Sequence, residues 1–154
     1  MQRGVLPLPL LYLSAFFEAT RRDYYDGLRA VTERSAWEEW LLYFLNGVAR
    51  QSEDALSRAE RINQQLDHWR ESVSRTRSGV ALRLLDLLGT NPFITVRKAE
   101  AQLDVAYNTA AAALRRLVQL RIVKQIGEAR RDRVFCAQAL LDILEEPARL
   151  RPLS

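Results

Sequence analysis

Residues 95–137 read TVRKAEAQLDVAYNTAAAALRRLVQLRIVKQIGEARRDRVFCA. Thr95 supplies a hydroxyl cap for a helix whose apolar side is Val96, Ala99 and Leu103. Asp104 and Val105 predict a tight turn, because Asp tolerates left-handed backbone better than most residues. A second helix follows, with Ala110, Ala113, Leu114 and Leu117 on one face and Ala99 small where the two helices must meet. IVKQI and DRVFCA then read as two strands around GEARR, a hairpin with a basic tip. Working outward, VALRLLDLL (80–88) predicts an apolar helix ended by Gly89, Thr90, Asn91 and Pro92, and ALLDIL (139–144) predicts a short closing helix. Three helices followed by a hairpin is the order of a winged helix-turn-helix.

That arrangement puts particular residues forward. Tyr107, Asn108 and Thr109 open the second helix, from which they could reach base edges or a phosphate. Asn108, Ala112, Arg115 and Gln119 share its outward face, while Arg130, Arg131 and Arg133 lie along the wing. Ala106 stands where a hydroxyl usually caps such a helix, and four successive alanines (110–113) offer little with which to read bases. Nucleic-acid contact and a purely packing or dimer-forming role both remain open at this point.

The first half is helical by its periodicity. LLYLSAFFEAT (10–20) places Leu10, Leu13, Phe16 and Phe17 on one side, and RRDYYDGLRAV (21–31) spaces Tyr24, Leu28 and Val31 helically. Ser35 and Glu38 have capping-box spacing for a helix from Ala36 to about Ser74, roughly 60 Å long. Along it Leu41, Leu45, Val48, Ser52, Ala55, Ala59, Ile62, Leu66, Trp69 and Val73 form a heptad seam, fit for a helix of the same chain or of a second copy. Trp37, Trp40, Tyr43 and Phe44 crowd its start and predict an aromatic core against the first two helices. The polar stretch 72–79 reads as a hinge, giving a helical segment over 1–76 and a winged helix over 77–148. The expected fold is mainly α, with one long helix and one short hairpin.

Composition narrows the function. Residues 1–77 carry 11 Lys and Arg against 11 Asp and Glu, whereas 78–154 carry 12 against 8, the whole of the net +4. The basic half is the place to look for a polyanion. A single cysteine, Cys136, permits no internal disulfide and fits a reducing, cytoplasmic setting. The opening GVLPLPLLYLSAFF has two prolines and falls short of a membrane span, so it predicts a buried helix packed on the 37–44 region rather than an export signal. The only histidine is His68, the six glycines are isolated, and the paired carboxylates are sequence neighbours that diverge on a helix. No catalytic, cofactor-binding or metal-binding residue is expected.

Gly4 to Leu144, through its LYLS helix, DYYDGL segment and WEEWLLYFLNGV run, resembles the tail of a Fic-type domain continuing into a C-terminal winged helix. The resemblance implies a parent enzyme that transfers AMP from ATP, with a divalent metal, to protein hydroxyls through an HPFxxGNGR-type loop. That loop has no matching positions here, so the resemblance implies a part that is inactive by itself and is partnered by the missing N-terminal catalytic segment. Its winged helix would serve DNA binding, target binding or self-association. The alternative is a stand-alone DNA-binding regulator that forms a homodimer through the long helix.

Overall fold

The computed structural model describes residues 13–76, 78–127 and 132–146. They form α1 (Leu13–Ala19), α2 (Arg21–Arg34), α3 (Trp37–Ser74), α4 (Gly79–Thr90), β1 (Phe93–Thr95), α5 (Val96–Leu103), α6 (Tyr107–Gln119), β2 (Lys124–Ile126), β3 (Val134–Cys136) and α7 (Gln138–Glu145). Two units separate among these residues, 13–59 and 60–145, and α3 contributes to both.

The first unit is organised by aromatic side chains. Phe16 is buried, with its ring centroid 5.4 Å from Tyr43, and Phe17 lies 6.0 Å from Phe44 and 5.1 Å from Tyr24. Tyr24 meets Trp40 edge-on at 5.5 Å, and the Tyr43 hydroxyl shares a 2.6 Å hydrogen bond with that of Thr20. Offset and edge contacts of this kind add to the burial of the rings themselves. The expected docking of Phe16 and Phe17 on the 37–44 region is therefore present, while Leu10 lies outside the described residues. Two local expectations are corrected. Trp37 is 60% exposed instead of joining the cluster: it stands in the first turn of α3, and the ring contacts begin one turn later, at Trp40. Ser35 does not open α3 as a capping box; it closes α2 in left-handed geometry (φ 53°), its amide donating to Val31 O at 3.0 Å. The chain must reverse direction there, and the terminal carbonyls of α2 take the bond that the box would have used.

In the second unit the last turns of α3 bury Ile62, Leu66, Trp69 and Val73, so this part of the seam packs within the same chain. A side chain at Gly89 of α4 would meet Leu66 Cδ1 at 2.9 Å, which shows how closely the two helices approach. Arg70 bridges the same helices, donating to Asp67 (2.7 Å) and Asp86 (2.8 Å), and these bonds, Asp86 foremost, hold its guanidinium still more firmly protonated. Helix α4 is capped by Ser78, whose hydroxyl accepts from the Ala81 amide, and contributes Leu84, Leu85 and Leu88, all fully buried. Each such leucine stabilises the fold by about 1.5–3 kcal/mol relative to exposure.

Thr95 caps α5 as expected, accepting from the Lys98 amide at 3.2 Å, and Asp104 takes the left-handed turn (φ 50°) into α6. Ala99, Ala110, Ala113, Leu114 and Leu117 are buried between α4, α5 and α6. One strand was not expected: β1 pairs antiparallel with β3, Thr95 opposite Val134, and β2 pairs on the other edge, Ile126 opposite Val134. The sheet order β1-β3-β2 behind α4, α5 and α6 is that of a winged helix-turn-helix. Cys136 sits fully buried in β3, and desolvation pushes its thiol above the ordinary range.

Candidate nucleic-acid interface

The second helix of the helix-turn-helix, α6, shows its buried stripe to α4 and α5, so its opposite face is free. Asn108, Ala112, Arg115 and Gln119 are all exposed on it, as their spacing requires. Ala106 provides no side-chain cap, and the first turn closes through Thr109 and Ala110 amides donating to Ala106 O at 2.9 and 3.0 Å. Arg116 turns sideways and donates to Gln119 Oε1 at 3.3 Å.

Beside this face runs a groove of about 480 Å³. Tyr107, Asn108, Ala111 and Arg115 form its α6 wall, Arg133 and Phe135 enter from the wing strand, and Val96 and Arg97 close it from the start of α5. Positions 107, 111 and 115 lie one helical turn apart, which sets an aromatic, a methyl and a guanidinium in a row. The small Ala111 leaves the middle of that row shallow. Three arginines and one carboxylate, Asp132, bring the charged groups of the lining to a net +2. Arg97 Nε donates to Asp132 Oδ1 at 3.2 Å, and both side chains are largely exposed, so the pair contributes about 1 kcal/mol or less. Arg115 and Arg133 make no ion pair with another described residue.

Of the residues expected at the interface, Tyr107, Asn108, Arg115 and Arg133 are gathered by the groove. Thr109 is exposed next to it but does not line it. Arg130 and Arg131 lie outside the described residues. Arg97 and Asp132 were missed. They are 35 positions apart, and the only local signal was a basic residue two places after the Thr95 cap.

The groove sets three guanidiniums against a single carboxylate. The planar forks of these arginines have the geometry to pair bidentately with a phosphate or a carboxylate. Among the described residues no group of three or more His, Cys, Asp or Glu could hold a metal ion. No described helix is long and apolar enough to cross a membrane. His68 is exposed on α3.

Fold and groove together define a winged helix-turn-helix with a basic cleft between its second helix and its wing. No protein-family model matches the chain.

Proposed function

We propose that residues 78–146 bind double-stranded DNA, with α6 entering the major groove and the wing following the backbone. The observation that carries this reading is the convergence of Arg97, Arg115 and Arg133 with Asn108 on one cleft beside an exposed helix face. A helix fits the major groove, where Asn pairs well with adenine and Arg with guanine. Arg115 and Asn108 are the base-reading candidates, and Arg97 and Arg133 the phosphate contacts. The alanine-rich middle of α6 implies that shape and backbone contacts carry much of the affinity.

The test is fluorescence anisotropy of a labelled duplex across a salt series, with the whole chain. Arg115→Ala/Arg133→Ala is expected to weaken binding and to flatten the log–log salt slope by about 1, the share of the lost Arg133 phosphate contact. Arg22→Ala, on the highly exposed face of α2, serves as the control and leaves the slope unchanged. Equal affinity and slope for the double variant and the parent would remove the proposal.

For the helical half, the support is the sequence resemblance. On that reading it completes a Fic-type AMP-transferring domain supplied with ATP and a divalent metal elsewhere in the parent protein, and the DNA-binding module is its C-terminal appendage. An open reading frame running upstream of Met1 into an HPFxxGNGR-type motif supports it. AMP transfer by this chain alone would overturn it.

A further inference from the structure

The groove contains a feature that pure phosphate binding does not require: a carboxylate among its arginines. Asp132 lies on the wing side and accepts from Arg97 Nε at 3.2 Å, so one of the three guanidiniums is already engaged. We infer that Asp132 is an electrostatic latch, occupying Arg97 in the free protein and yielding it to a phosphate when a polyanion enters. The inference rests on the reading of the groove as a nucleic-acid interface and assigns regulation of its affinity to one side chain.

Three observations support it. Asp132 has left-handed backbone (φ 51°), a conformation that Asp and Asn adopt more readily than most residues, so the position suits Asp apart from the ion pair. Arg97 stands in the first turn of α5, which carries no acidic residue, so Asp132 is its partner from across the groove and not from its own helix. Both side chains are more than two-thirds exposed, so the pair is screened and exchangeable, whereas a phosphate offers a charge-assisted fork to the same guanidinium. Once displaced, the carboxylate remains close to the incoming anion and opposes it. Asp132 therefore lowers affinity for any polyanion that does not bring enough other contacts, which discriminates against weak, incidental binding.

Asp132→Asn tests this with little structural disturbance, because Asn accepts left-handed backbone as readily as Asp and keeps an oxygen for Arg97. The whole chain is titrated with a labelled duplex by anisotropy and with inorganic tripolyphosphate by calorimetry. The expected result is binding about two- to fivefold tighter for the variant, with a duplex salt slope steeper by about one. Adding Arg97→Ala to Asp132→Asn should abolish the gain. If Asp132→Asn tightens tripolyphosphate while neither protein binds duplex, the latch stands and the DNA reading fails. If the variant changes binding of neither probe, including the case where neither probe binds, the latch is overturned.

Discussion

The same substitution, glycine to alanine, should have opposite effects at two helical positions of this chain. At Gly79, the first residue of α4, an added Cβ meets nothing within 4 Å, and the backbone is not left-handed. Alanine there should stabilise by about 0.4–1 kcal/mol, mainly by reducing the freedom of the unfolded chain. At Gly47, inside α3, the added Cβ would come within 2.5 Å of both Cδ1 and Cε1 of Phe16. Carbon atoms rest at about 3.5–4.0 Å, so the ring must retreat by roughly 1 Å. It has little room: Phe16 is 3% exposed and is packed against Phe17 and Tyr43, the latter tied to Thr20. Overpacking of this kind costs about 1–3 kcal/mol, and the helix-propensity gain from alanine offsets about 1 kcal/mol of it. With the added Cβ at 2.5 Å from two ring atoms the cost lies towards the upper end of that range, about 2–3 kcal/mol, so the net expectation for Gly47→Ala is a loss of about 1–2 kcal/mol. Thermal unfolding followed by near-ultraviolet circular dichroism, which reports the aromatic cluster directly, should show a Tm lower by roughly 3–6 °C. Trimming the ring in the double variant Gly47→Ala/Phe16→Leu should recover part of the loss, with a favourable coupling of about 0.5 kcal/mol or more. A Gly47→Ala protein that melts at or above the parent, with no coupling to Phe16, would refute the packing argument.

Other measurements probe different parts of the chain. Cys136 keeps its proton in the folded state because burial raises its pKa, while the unfolded thiol ionises near its ordinary value of about 8.5. The unfolded state thus binds fewer protons above that pH, and stability declines as pH rises beyond it, towards the folded pKa. Cys136→Ala should flatten this alkaline decline in a series of urea melts, and an equally steep decline in the variant would show that the thiol is not its source. On α3, Leu41, Leu42, Leu45 and Leu56 are each more than half exposed, an apolar stripe on the side away from Phe16. Sedimentation velocity should detect concentration-dependent self-association that Leu41→Ser/Leu45→Ser suppresses; a parent that stays monomeric at high concentration would count against a homodimer through this face.

Long, periodic or capped stretches were legible from the sequence. α3 begins and ends within a residue of its expected limits, because 38 residues without proline or a strong break leave the backbone no better local choice. The Thr95 cap and the left-handed Asp104 follow from side chains that act on their own backbone. β1 was not legible. Phe93–Thr95 is too short to show an alternating pattern, and it is a strand only because β3 lies beside it to accept the pairing. Ser35 was misread for a related reason: a hydroxyl at a helix junction can serve either helix, and the reversal of the chain decided for α2. At the interface, helical spacing alone identified Tyr107, Asn108 and Arg115. Arg97 and Asp132 joined them only through the fold, since nothing within a few residues of either one records their approach across the groove.

By itself, then, the sequence determined what depends on neighbours along the chain: the helices, two of the three strands, the buried stripes and the concentration of positive charge in the second half. Tertiary structure decided what depends on separated segments meeting. It placed the lower seam of α3 on α4, left the leucines of the upper part exposed, and added β1 to the hairpin. It also set a carboxylate of the wing against an arginine of α5. Hydrophobic periodicity says that a face must be covered but not by what, and a charge pattern says how many ions there are but not which will be close enough to pair.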